Sequence, residues 1–218
     1  ICIVRRWYDQ IRNISVKTND MHLNIKSRGD DRLNYVQPIR DKKKIQTMKT
    51  VLKAKDEKYY IMFLIGINVG LRVSDILTLK VSDVRDRTHI NIVEKKTGKT
   101  KRFLLNSKMQ AELTDYISKF SLSDDDYLIR SRKGKNQPIR RDRAYKILNE
   151  AAQEIGLDEI GTHSMRKTFG YWHYQKYKDV ALLQHLFNHA NSAVTLRYIG
   201  VNQDIMDLSL IHISEPTR

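Results

Sequence analysis

The 218 residues carry a net charge of +15, a pI near 9.8 and an apolar share of 40%. That is enough apolar content for a folded core, so a disordered basic tail is excluded, and a folded domain this positive points to a polyanionic partner, nucleic acid ahead of an anionic membrane surface. No apolar run reaches the ~18 to 20 residues that span a bilayer, no signal peptide is visible, and the single cysteine, Cys2, excludes an internal disulfide and a thiolate metal cluster, so the expected setting is cytoplasmic.

Residues 1–35 are charged and without sustained period, and are expected to be an N-terminal extension with at most a short helix near Trp7. From Pro38 the pattern sharpens. Ile45, Met48 and Leu52 recur at helical spacing behind Asp41, a suitable N-cap. "YYIMFLIGINVG", Tyr59 to Gly70, reads as a buried core helix that Gly70 ends. Ser74 is the expected cap of a short helix, "SDILTLK". In "THINIVEKKTGKTKRFLLN", β-branched residues flank Thr97-Gly98 and predict a hairpin.

"SKMQAELTDYISKF" is amphipathic, with Met109, Leu113, Ile117 and Phe120 on one stripe and Ser107 and Gln110 as a capping box. A basic stretch, Arg130 to Lys146, contains Arg130, Arg132, Lys133, Lys135, Arg140, Arg141 and Arg143 against one acid, Asp142. It enters a helix through Ala144, Ile147, Leu148 and Ala151, which Gly156 stops. Thr162, Asp179 and Ser192 are the expected caps of three further helices, the last carrying Tyr198. The whole predicts a mainly α domain with a small antiparallel β-sheet, an α+β class.

Taken singly, the polar residues are ordinary. Arg72 could pair with Asp75, Lys96 is a lysine beside a turn, and Tyr198 would normally be core. His185 and His189 have the spacing of two metal ligands on a helix, but "HLFNH" lacks the glutamate of the zinc-protease pattern, so no metal site is expected.

Taken in order, GLRVSD, KKTGK, THSMRKT and LFNHANSAVTLRYIG resemble the catalytic domain of the tyrosine recombinases, the phage-integrase family, over residues 36–207. The resemblance is closest to short integrases of mobile elements in Gram-positive bacteria. It implies that domain's fold, and a site-specific DNA recombinase that cuts and rejoins strands without a metal or other cofactor, through a 3′-phosphotyrosine. Arg72 and Arg166 would be the two catalytic arginines, with Asp75 supporting the first. Lys96 would be the hairpin lysine, with Lys95 and Lys99 as rivals. His163 and His189 would be the two histidines, and Tyr198 the nucleophile.

Two planar guanidiniums suit an anionic phosphodiester, because each can donate a pair of hydrogen bonds. His163 and Arg166 lie one helical turn apart, so both can reach one phosphate. The basic stretch would contact the backbone of double-stranded DNA. By the same resemblance four copies would act in a synapse, with DNA-bending or directionality factors as possible accessories and a bacterial, nucleoid-associated location. Residues 1–35 do not look like the DNA-clamping domain that family members usually carry. Asn188 stands where glycine is usual, and residues 208–218 look like translated adapter or vector sequence. Two rival functions share the basic surface: supercoil relaxation of the type IB topoisomerase kind, and a DNA-binding remnant without catalysis.

Overall fold

The computed structural model describes residues 36–93, 98, 100–201 and 204. The expectations for residues 1–35, for Lys95, Lys96 and Lys99, and for residues 208–218 lie outside the described residues.

Helix α1, Lys42–Lys55, starts at Asp41, whose carboxylate accepts from the Lys43 N–H, and it turns Ile45, Met48 and Leu52 inward. Helix α2, Glu57–Val69, begins two residues earlier than the apolar run, because Asp56 caps it through the Lys58 N–H. It is buried from Lys58 to Gly66, as expected of a helix apolar on all sides. Gly70 ends it in the left-handed region, φ 69°, with the Phe169 ring packed where a side chain would stand.

Helix α3, Val73–Leu77, corrects the first cap. Arg72 is the N-cap by its extended backbone, no side chain caps the helix, and Ser74 lies in the first turn donating to Asp75 at 3.3 Å. A 3-10 turn, Val81–Asp83, leads to the hairpin of β1, His89–Val93, and β2, Thr100–Leu104, antiparallel with His89 opposite Leu104 and Val93 opposite Thr100. Helix α4, Ser107–Lys119, corrects the second cap. Asn106, one residue before Ser107, accepts from the Met109 N–H, while Gln110 donates to the Leu105 carbonyl at 2.6 Å, so there is no capping box.

Helix α5, Arg141–Glu154, stops at Ile155 and Gly156, φ 62°. Helix α6, Ser164–Tyr177, takes His163 as its N-cap, without a side-chain cap. Thr162 is buried instead, and the Ser164 hydroxyl turns back to accept from the Gly161 N–H at 3.1 Å. Helix α7, Val180–Phe187, is capped by Asp179 as expected. Helix α8, Ser192–Tyr198, is capped by Asn191 through the Val194 N–H rather than by Ser192.

The expected mainly α class with one two-stranded antiparallel sheet is what the described residues form. Two apolar clusters divide the work. The larger centres on α2, with Ile61, Met62, Phe63 and Ile65 almost wholly buried and the helix packed against α1, α3, α4 and α6. The smaller consists of Leu183, Phe187, Ile199 and Val201, with Phe169, Leu196 and Tyr198 packed on it. Tyr198 thus stands on its own apolar footing.

Side chains of α6 hold the segment that precedes α1. Thr168 accepts from the Ile39 N–H at 2.8 Å, and the Trp172 indole donates to the Ile39 carbonyl at 3.0 Å. Arg40 closes the other end, donating to Asp204 at 2.7 Å and to the Gly200 carbonyl at 3.1 Å. Among the described residues no helix is long and apolar enough to cross a membrane.

Candidate active site

Three chain segments bring the expected site residues together. Arg72 stands exposed at the start of α3, just after the Gly70 turn. His163 and Arg166 come from the first turn of α6. His189 follows α7, and Tyr198 ends α8.

Arg166 is the anchor. It is buried, and its guanidinium donates to the Gly70 carbonyl and, at 3.4 Å, to the Leu186 carbonyl. It also lies 4.3 Å from the centre of the Phe187 ring. These contacts fix a planar cation between the end of α2 and the end of α7.

The Tyr198 ring is held edge to face by Phe187, at 5.5 Å, and by His189, at 4.9 Å between centroids. Its hydroxyl faces His163 Nδ1 at 3.4 Å. Burial pushes the phenol above its ordinary value; the charges of Arg166 and Arg72 and a hydrogen bond from Arg166 pull the other way without overcoming it.

Both histidines are held below the ordinary imidazole value. For His163 the causes are burial, then the charges of Arg141, Lys167, Arg166 and Arg72. The residue is nonetheless exposed. For His189 they are burial, then Arg166 and Arg72. His189 Nδ1 also meets the Thr195 hydroxyl at 3.1 Å, which orients the ring from the floor of α8.

An open cavity of about 240 Å³ lies against this cluster, lined by Arg72, Asp75, Lys101, Arg166, Leu186 and Asn188 among others. It has room for a phosphate and presents it with both arginines. Arg72 and Asp75 share the wall but form no ion pair among the described residues, so Asp75 does not support Arg72 by direct pairing here.

Asn188 explains the departure from glycine. Its backbone is left-handed, φ 58° and ψ 48°, and asparagine is the side-chain-bearing residue that tolerates this region best. The same turn ends α7 at Phe187, so His185 and His189 do not share a helical face, which removes the geometric basis of the metal-ligand spacing. Among the described residues no group of histidine, cysteine and acidic side chains could hold a metal ion.

The basic stretch splits in two. Arg130 pairs with Asp126 at 3.2 Å and Arg132 with Asp56 at 3.1 Å. Arg132, Lys133, Arg140 and Arg143 line one cleft of about 660 Å³, where Arg140 faces Asp142 at 3.5 Å. Lys135 is exposed on the intervening loop. Arg141 departs from the group, since its charge acts on His163.

Two lysines near the cluster were not singled out from the sequence. Lys101, on β2, donates to the carbonyls of His185 at 3.1 Å and Leu186 at 3.3 Å, and so ties the hairpin to the end of α7. Strand alternation carries a signal for it, because Lys101 and Phe103 line the cavity from one face of β2. Lys167 lies against the Tyr198 ring.

The model of the phage integrase family matches residues 39–204. The chain is 44% identical over 172 residues to the Probable integrase/recombinase YoeC of Bacillus subtilis (strain 168), covering 79% of this chain and 93% of that one. The chain belongs to the phage integrase family.

Its fold agrees. A crystal structure of XerA recombinase superposes with a TM-score of 0.64 at 18% identity, over 92% of this chain and 70% of that one. A XerH site-specific recombinase bound to a palindromic difH substrate, in a post-cleavage complex, superposes with a TM-score of 0.62 at 19% identity. The match takes in 80% of this chain but 52% of the XerH chain, so this integrase-family chain spans about half of that relative. The family and the catalytic-domain fold expected from the sequence are therefore both borne out.

Proposed function

We propose that this chain is a DNA strand-transferring tyrosine recombinase whose catalytic domain occupies residues 36–207 and whose nucleophile is Tyr198. The observation that carries the reading is the convergence of Arg72, Arg166, His163 and His189 on one phenol beside an open cavity.

In this reading a DNA phosphate sits in that cavity, with Arg72 and Arg166 donating to its non-bridging oxygens. His163 is neutral at pH 7 because its environment disfavours the imidazolium, so Nδ1 can accept the phenol proton. The 3.4 Å contact shortens as the phosphate draws the groups together. The Tyr198 oxygen then bonds to phosphorus and the bond from phosphorus to the 5′-oxygen breaks, leaving a 3′-phosphotyrosine and a 5′-hydroxyl. Lys96 is the expected donor of the proton to the departing oxygen. His189 steadies the phosphate, and the reverse steps rejoin the strand. The covalent bond conserves the energy that rejoining needs.

Double-stranded DNA is the partner in this reading, held in part by the cleft of Arg132, Lys133, Arg140 and Arg143, with Arg130, Lys135 and Arg141 flanking it. Non-specific affinity should therefore fall steeply with salt. Assembly as four copies on a synapse, any accessory factors and a nucleoid location belong to the same proposal.

The test is trapping on a nicked suicide substrate. A covalent protein–DNA adduct should form with this chain and be absent with Tyr198→Phe. An adduct that survives in Tyr198→Phe would overturn the assignment. Supercoil relaxation without recombinant products would favour the topoisomerase use, and salt-sensitive binding without any adduct would favour a non-catalytic DNA binder.

A further inference from the structure

Lys167 has no role in the steps above, yet it touches two of their participants. Its ammonium donates to the Val36 carbonyl at 2.6 Å and lies 5.2 Å from the centre of the Tyr198 ring. It stands four residues after His163 on α6, and its N–H donates to the His163 carbonyl at 2.9 Å, so the two side chains share a helical face. Arg166, one residue earlier, points elsewhere and reaches the hydroxyl end of the same phenol.

We propose that Lys167 is a positioning residue for the nucleophile: anchored on the Val36 carbonyl, it holds one face of the Tyr198 ring and fixes a positive charge beside His163. The proposal rests on the reading of Tyr198 as nucleophile and His163 as its proton acceptor. A cation over an aromatic face is attracted by the ring quadrupole, so the contact restrains the ring without occupying the reacting oxygen. The anchor is main chain, which gives the lysine a defined reach.

The charges around these groups are accounted for. His163 is faced by Arg141 from α5, by Lys167 and Arg166 from α6, and by Arg72 from the start of α3. Tyr198 is faced by Arg166 and Arg72 and touched by His163 and His189. Lys167 itself is pushed below the ordinary lysine value by burial and then by Arg40. Removing the lysine charge therefore lets His163 bind a proton at higher pH, and Lys167→Arg, which keeps the charge, separates that effect from a change in the burial that is the larger cause of the depression.

The experiment compares Lys167→Met, Lys167→Arg and Lys167→Gln with the unaltered chain. The His163 ring is titrated by NMR in protein with 15N-labelled histidine, its signal assigned by loss in His163→Gln. Adduct formation on the nicked substrate is followed against pH. Lys167→Met and Lys167→Gln should move the His163 titration, and with it the acid limb of cleavage, to higher pH. Cleavage in both should slow roughly 10- to 100-fold at the plateau, as expected for a misplaced reacting group. Lys167→Arg should leave the titration in place. A titration unmoved by loss of the charge, or moved equally by arginine, would overturn the proposal. If the unaltered chain forms no adduct, the reading of Tyr198 fails, while the NMR titration still decides the effect of Lys167 on His163.

Discussion

His163 Nδ1 stands 3.4 Å from the Tyr198 hydroxyl, and both groups are disfavoured as ions by their surroundings. Each half of the pair is thus neutral at rest. A neutral imidazole beside a neutral phenol is the protonation state that the proposed proton transfer from Tyr198 to His163 requires. Cleavage should persist as pH falls below the ordinary histidine value of about 6.5, because His163 must still be deprotonated there. A pH profile of single-turnover adduct formation checks this, and an acid limb at or above the ordinary value would contradict it.

The same depression has a stability consequence. His163, His173 and His189 are all held below the ordinary value, chiefly by burial. Above about pH 6.5 neither the folded nor the unfolded chain protonates them. As pH falls through that value the unfolded chain takes up protons that the folded chain refuses, so stability drops, and it levels only below the folded values. The aspartates held low, Asp56 and Asp126, titrate in a more acid range and do not mask the effect. Thermal unfolding between pH 7.5 and pH 5 should show a falling Tm, reduced in slope by His189→Gln.

The two arginines should fail in different ways. Arg72 is exposed, so Arg72→Ala should change stability by no more than about 0.5 kcal/mol while lowering adduct formation about 10²- to 10³-fold. Arg166 is buried and satisfies two main-chain carbonyls. Arg166→Ala leaves those carbonyls without that donor, so it should cost about 1–3 kcal/mol as well as activity. Denaturant unfolding alongside the suicide-substrate assay separates the two losses.

Gly170 allows the floor beneath Tyr198 to close. A methyl group there would lie 2.6 Å from Ile199 Cγ2 and 2.8 Å from the Phe187 ring. Gly170→Ala should destabilise by about 1–3 kcal/mol and displace α8, lowering cleavage out of proportion to the loss of fold. Equal adduct yields from folded Gly170→Ala and the unaltered chain would count against this coupling.

Asn188 can be tested from both sides. Asn188→Gly relieves the left-handed backbone and should be tolerated, whereas Asn188→Val should cost about 1–2 kcal/mol and misplace His189. Melting curves of the two variants check the order.

Much of the site was readable from the sequence because the motif carries its own spacing: Arg72, His163, Arg166, His189 and Tyr198 were named from three short stretches, and the fold brings them together. The helices were readable too, since Met48 and Leu113 keep helical period and stay buried, and Phe63 sits in an unbroken apolar run that is buried throughout. What misled were the caps. Ser74, Ser107, Thr162 and Ser192 are all good capping residues near helix starts, but position within the turn decides, and Asn106 and Asn191 stand one residue closer to the right place. The expected pairing of Arg72 with Asp75 does not form among the described residues, because spacing along the chain does not fix the rotamers that bring an arginine to a carboxylate. Lys167 was hidden for another reason: its meaning lies in Val36 and Tyr198, more than a hundred and thirty residues before it and thirty-one after.

The bracket formed by Arg40 gives the reactive end of the molecule a strain relief. Arg40 grips Asp204 and the Gly200 carbonyl, just downstream of the phenol, and it does so from the segment that α6 pins through Thr168 and Trp172. A pull on the chain beyond Asp204 is therefore borne first by Arg40 and the backbone around Ile39. That grip shares the load before it reaches the last turn of α8, and so helps to keep the Tyr198 hydroxyl in place when the downstream chain moves.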